Sequence, residues 1–359
     1  MSFYIRKIIK LHKGGIEMKL RWGIIGASGI ADECTIPGIL KTNNSEVVAV
    51  MSRSLEKAEK IREKYNIKKA YSNVEDLLSD EEVDAVYIAT PVFDHKNSVI
   101  LCAKAKKHIF LEKPMGLTTE ECEEMIKVTK ENDVKLGIAF MMRFGEHHRK
   151  VRKLLKENII GDIINTRIQY SWWYPDDNVW RLDPKLSGGG TVVDLGSHCI
   201  DLIQYLLDTK IKTVSAMIGT KTFNYEVEDS AQIMCEMENG VYGAFNFHFN
   251  IPNSISNNTM EIYGTKGSIV CYDTIGREDV GKVLIKLSGE NGEIDFSDYT
   301  LEELSINPVD RYEKEIQAFS DAVINNEELP VSGEAGLNVV KITSAIYKSH
   351  KNKSFENID

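Results

Sequence analysis

The chain has 359 residues, with 44 Lys+Arg against 54 Asp+Glu for a formal charge of -10, and 42% of it is hydrophobic. That length favours two domains, and the composition is that of an ordinary globular protein, outside the disordered, collagenous and coiled-coil extremes. The negative balance argues against a nucleic-acid partner, and apolar runs such as 85–89 fall far short of the roughly 20 residues of a membrane span.

The six cysteines (Cys34, Cys102, Cys122, Cys199, Cys235, Cys271) are scattered, with no C-x-x-C pair and no matching histidine spacing. Neither a metal site nor a disulfide framework is expected, and a reducing cytoplasm fits best. Residues 1–17 alternate apolar and basic side chains from Phe3 to Lys13 without the apolar core of a secretory signal. They read either as a weak basic surface helix or as an untranslated extension. Lys13-Gly14-Gly15 can be encoded by AAAGGAGG, a ribosome-binding sequence, shortly before Met18. We expect Met18 to be the start.

From Met18 the pattern is strand (21–25), glycine turn (26–29), then a helix from Ile30. A second strand at 46–51 and a helix at 55–65 complete a β-α-β unit. Further β-rich runs at 85–90, 108–111 and 135–140 are separated by amphipathic stretches at 96–106 and 118–131. Such alternation predicts a parallel sheet with helices on both faces over 18–140, and the glycine turn that opens its first helix makes this a dinucleotide-binding Rossmann domain. After Phe140 the texture changes. One helix-like stretch (145–157) gives way to alternating segments at 164–174, 213–220, 230–237, 240–250 and 259–263, and two helical stretches, 310–325 and 333–348, close the chain. This predicts an α+β domain over 141–359 built on an open-faced, mostly antiparallel sheet. Phe245, Phe247 and Phe249 share one face of that sheet; the other face is free for a partner subunit, so a homo-oligomer, dimer or tetramer, is expected.

Gly26-Ala27-Ser28-Gly29-Ile30-Ala31 stands where a dinucleotide fingerprint belongs, after the first strand and opening the first helix. There a tight turn lets the backbone approach a pyrophosphate at the helix N-terminus. After the second strand, Ser52 and Arg53, with Lys57 a turn further on, replace the acidic residue common in NAD enzymes. They suit a 2′-phosphate, although a solvated loop arginine would look the same. Glu112-Lys113-Pro114 follows a strand, so Lys113 either faces the ligand crevice or is a surface lysine. In a helix starting near Thr191, Asp194, His198 and Asp201 would share one stripe. An ordinary amphipathic helix permits that spacing too, but no Lys or Arg occurs between 186 and 209, which favours a site.

The glycine turn, Thr90-Pro91 with His95, Glu112-Lys113-Pro114 and Asp194-x-x-x-His198 together resemble the glucose-fructose oxidoreductase/inositol dehydrogenase (Gfo/Idh/MocA) family, over 19–348. Within it, 22–28 and Trp180-Arg181-Leu182 before the triple glycine are most similar to NADP-dependent sugar reductases. The resemblance implies a nicotinamide between the two domains, NADP favoured over NAD. It implies Lys113, Asp194 and His198 as catalytic residues, with Gly26, Ala27, Ser28, Gly29, Ile30, Ser52, Arg53, Lys57, Thr90, Pro91, His95, Glu112 and Lys113 on the cofactor. Trp180 and Arg181 would wall the nicotinamide or substrate, and Lys113-Pro114 would be a cis peptide. Two departures stand out: Ser28 for the usual second glycine, and no acid after the second strand. The expected activity is hydride transfer to or from a sugar, polyol or related carbohydrate-like compound. A non-catalytic dinucleotide-sensing regulator and an NAD-dependent glycosidase are the alternatives.

Overall fold

The computed structural model describes residues 19–175 and 179–358, so the 1–17 extension lies outside it. Six strands, β1 (Leu20–Ile25), β2 (Ser45–Met51), β3 (Lys69–Tyr71), β4 (Ala85–Ile88), β5 (His108–Leu111) and β6 (Leu136–Ile138), form one sheet in the order β3-β2-β1-β4-β5-β6. Every pairing in it is parallel. Strand order reverses between β1 and β4, which opens a ligand crevice at their carboxyl ends. The strands are apolar on both faces because helices cover both, and all four residues of β4 are buried. Local signals set the helices. Ser54 accepts the Lys57 amide at the start of Leu55–Tyr65, and Thr118 accepts the Glu121 amide before Thr119–Glu131. β3 and the helix Val74–Leu78 escaped the sequence reading, being only 3 and 5 residues long.

The second sheet has nine strands: β7 (Ile163–Ser171), β8 (Ile211–Gly219), β9 (Ser230–Met237), β10 (Tyr242–His248), β11 (Thr259–Gly264), β12 (Gly267–Tyr272), β13 (Lys282–Ser288), β14 (Tyr299–Glu303) and β15 (Glu356–Asn357). Their order is β14-β13-β12-β11-β7-β10-β9-β8-β15, antiparallel except that β10 runs parallel to β7. Phe245, Phe247 and Phe249 are buried on the inner face, as the alternation predicts. The outer face exposes Met217, Met234 and Tyr242. β12 to β15 went unread in the sequence, their pattern interrupted by turns and polar residues.

The last two helices do more than close the second domain. Arg311–Ile324 packs against the helix Ile36–Lys41 of the first sheet's unit, and Phe319 lies 5.3 Å from Trp22 and 5.0 Å from Phe110, ring to ring. Gly333–Asn352 spans both units, touching β8 and the helix Thr119–Glu131. A linear division at residue 140 therefore separates these helices from part of the core they cover. Among the described residues no helix is long and apolar enough to cross a membrane.

At the base of Arg311–Ile324 the fully buried Arg311 donates to the carbonyls of Thr274 (2.8 Å) and Gly276 (2.7 Å) and to Asp279 (3.2 Å). Asp279 also accepts from the amides of Glu146 and Val309 and meets His147 Nδ1 at 2.7 Å. Burial alone would raise the Asp279 carboxyl; the hydrogen bonds from His147 and the two amides, with Arg311, hold it at about 2 instead. The stability this supplies is complete above the ordinary carboxylate range and is lost as pH falls toward 2. Asp279→Asn leaves the guanidinium buried without its counter-charge, so the urea midpoint should fall by the equivalent of about 3–5 kcal/mol.

Candidate active site

The glycine turn sits at the carboxyl end of β1, where the amides of Gly26 and Ala27 both donate to Met51 O, at 3.1 Å each. Gly26 holds φ +86°, and a Cβ there would stand 2.9 Å from the Ala89 carbonyl, so the close β1–β4 approach requires glycine. Gly29, at φ +52°, faces open space with no heavy atom within 4 Å of a built Cβ. A helix follows directly, through one π-type turn (Ala31–Thr35) into Ile36–Lys41. Ser28 is exposed, and Ala27 is buried beneath the turn.

The end of β5 supplies Lys113, and the Lys113–Pro114 peptide is cis. Across the cleft, the triple glycine presses the chain against Glu228: a Cβ on Gly190 would stand 2.1 Å from the Glu228 carbonyl. The Glu228 carboxylate accepts the amides of Gly190 (3.0 Å) and Val192 (2.9 Å), which satisfies the start of the helical segment running through Val192–Gly196 into Ser197–Leu207. That segment carries Asp194 and His198.

Lys113 Nζ donates to Asp194 Oδ1 at 2.6 Å and to the Asp194 carbonyl at 3.0 Å. The pair is part-buried, with 12% of the Lys113 and 32% of the Asp194 side chain left open. Burial pushes the Asp194 carboxyl up, but Lys113 and Arg181 overcome this and hold it at about 2. Burial, then the Lys113 charge, pushes His198 well below the usual histidine range, so its imidazole is neutral at physiological pH. His198 Nδ1 and Thr90 Oγ1 are buried without a protein hydrogen-bond partner.

These groups line a cavity of about 290 Å³ that runs from Ile30 past Thr90, Lys113, Asp194 and His198 to Trp180 and Arg181. The glycine turn open at Gly29, the orphaned Thr90 hydroxyl and His198 nitrogen, and the lysine in one cavity fit a bound dinucleotide. Arg181 lies over the Trp180 ring, 4.6 Å from its centroid.

The structure gives the other predicted residues the following places and partners. His95 lines the cavity, but both ring nitrogens are taken by carbonyls, of Thr90 at 2.9 Å and Pro114 at 3.0 Å, so it fastens two loops instead of holding a ligand. The Glu112 carboxylate turns inward to the Tyr87 hydroxyl and its neighbour's amide. Asp201 leaves the polar stripe for a buried bidentate pair with Arg143 and stands outside the cavity. Asp194 takes Lys113 as its partner. Arg53 and Lys57 are exposed at the end of β2, with Ser52 half-buried beside them. Pro91 heads the turn Val92–Asp94 that leads into His95–Lys104. Sequence reasoning missed Tyr170, Arg277 and Tyr312, which come to the cavity from β7, the β12–β13 loop and the helix Arg311–Ile324. No local signal marks them.

Among the described residues no group of His, Cys, Asp and Glu could hold a metal ion. Residues 20–140 match the model of an oxidoreductase family with an NAD-binding Rossmann fold, and 148–270 match the GFO/IDH/MocA C-terminal domain. The chain is 29% identical over 332 residues to 1,5-anhydro-D-fructose reductase of Ensifer adhaerens, covering 92% of this chain and 96% of that one. It is 32% identical over 253 residues to trans-1,2-dihydrobenzene-1,2-diol dehydrogenase of Mus musculus, 70% and 74% of the two chains. In fold it resembles aldose-aldose oxidoreductase from Caulobacter crescentus, solved with glycerol, at TM-score 0.85 and 24% identity over 94% of this chain and 99% of that one.

Proposed function

The chain belongs to the Gfo/Idh/MocA family of oxidoreductases, and from that premise we propose that it moves hydride between NADP, in preference to NAD, and a sugar, polyol or related hydroxy/carbonyl compound. The observation that carries this reading is the Lys113–Asp194 pair sharing one cavity with a neutral His198 and the glycine turn. When bound, the nicotinamide gives or takes the hydride at the substrate carbon. Lys113, anchored by Asp194, donates a hydrogen bond to the reacting oxygen and stabilises negative charge as it develops. In oxidation His198 accepts the hydroxyl proton; in reduction it returns one. Its neutrality suits it to the base role without prior deprotonation. Trp180 and Arg181 wall the substrate end. The carbohydrate-like substrate is supported by the sugar-reductase relative and by a cavity lined with polar side chains, among them Thr90, Lys113, Arg181, Asp194 and His198.

The six cysteines are all unpaired, which supports a reducing, cytoplasmic setting. Met217, Met234 and Tyr242 on the outer sheet face support a homodimer or homotetramer formed through it. Sedimentation velocity should show a dimer or tetramer, and Met234→Glu should shift it toward monomer.

Lys113→Ala or His198→Ala should lower turnover about a hundredfold or more, with cofactor affinity changing far less. Because the His198 pKa is lowered, the acid limb of kcat/KM for alcohol oxidation at saturating cofactor should lie below the ordinary histidine range. A limb within that range, or near-native turnover in both variants, would count against the assignment.

The NADP preference rests on charge at the end of β2. Arg53 and Lys57 follow the strand end whose Met51 carbonyl holds the glycine turn, and Ser52, Arg53 and Ser54 put no acid at the strand end itself to repel a 2′-phosphate. Their exposure keeps the effect to about tens-fold. Arg53→Ala should raise the KM for NADPH and leave NADH nearly unchanged; steady-state kinetics with both cofactors test this.

A further inference from the structure

Arg277 belongs to the second sheet, on the loop between β12 and β13, yet its side chain reaches the first unit. Its Nη1 donates to Glu33 Oε2 at 2.9 Å. Glu33 stands one turn beyond the glycine turn, its amide bonded to Gly29 O at 2.8 Å, and Arg277 lines the same cavity as Ile30. The guanidinium therefore lies beside the helix start where a dinucleotide's phosphates are held.

Two observations separate this arginine from an ordinary surface cation. The loop that carries it is anchored on both sides, through Arg311 to the carbonyls of Thr274 and Gly276 and through Asp279 to the amides of Glu146 and Val309. Its present partner is weakly held: Arg277 and Glu33 keep 49% and 59% of their side chains exposed, where ion pairs are readily exchanged. The other cations lining the cavity are engaged further along it, Lys113 with Asp194 and Arg181 over Trp180. A pyrophosphate carries two charges and offers paired acceptors to a guanidinium, so it outcompetes a single exposed carboxylate.

We propose that Arg277 is a phosphate ligand supplied by the second sheet, exchanging Glu33 for the pyrophosphate of the dinucleotide and thereby fastening the two units across the cleft. The assignment rests on the dinucleotide reading above. Calorimetric titration without substrate tests it, using native protein, Arg277→Ala, Arg277→Lys and Glu33→Gln with NADPH, 2′-phospho-ADP-ribose and adenosine 2′-monophosphate. Arg277→Ala should weaken NADPH and 2′-phospho-ADP-ribose alike by about tenfold or more, and Arg277→Lys by less. Adenosine 2′-monophosphate, which lacks the pyrophosphate, should bind unchanged. Glu33→Gln should tighten NADPH about two- to threefold by removing the competitor. An unchanged melting temperature of Arg277→Ala without ligand would show that its weaker binding is not unfolding. Unaltered NADPH affinity in Arg277→Ala, or an equal loss of adenosine 2′-monophosphate binding, would overturn the Arg277 assignment alone. Native protein that binds no dinucleotide would overturn the cofactor reading first.

Discussion

The ion pair between Lys113 and Asp194 joins the end of a parallel strand to the start of a helix in another unit, and the rest of the site is arranged around it. An ammonium taken this far from water needs a counter-charge, and a carboxylate so placed needs a cation. Each makes the other's burial tolerable. The same charge bears on His198, which burial and the nearby ammonium keep neutral. Burial and this one ammonium thus act together on the ionisation of Asp194 and His198, and the arrangement requires the two sheets to hold their observed separation.

That separation is maintained by elements distant from the chemistry. The C-terminal helix Arg311–Ile324 lays Phe319 against Trp22 and Phe110 in the first sheet's core, and its first residue locks the β12–β13 loop. Glu228 secures the other wall by holding the amides that begin the Asp194 segment. The glycines at 26 and 190 are places where backbone meets backbone too closely for a side chain, one in each of the two units that flank the cleft.

Substitution at the cleft therefore has two characters. Residues such as Asp279, Arg311 and Glu228 act through geometry and carry a large stability cost when changed, because each leaves a buried partner unsatisfied. Residues such as Arg53 and Arg277 are exposed and contribute little to folding, and their proposed roles are those of charge presented to a ligand.

The sequence by itself determined the parallel sheet, its ligand crevice and the later antiparallel sheet. Strand and helix periodicities and glycine turns are local, and the turn at 26–29 and the 245–249 alternation declare themselves within a few residues. It also carried the positions of Lys113, Asp194 and His198, through an ordered set of short motifs and a resemblance built on them. Only the tertiary structure decided which partner each charge takes. Asp194 and Asp201 have the same chemistry on one stripe, yet one meets Lys113 and the other Arg143, because the elements packed against that helix differ along its length. His95 likewise became a fastener once both its nitrogens met carbonyls. Arg277 and Tyr312 reach the cavity from loops and helices more than 150 residues away in the chain from Lys113. Such contacts leave no local pattern, since side-chain pairing across long sequence separation is set by how the sheets and helices pack.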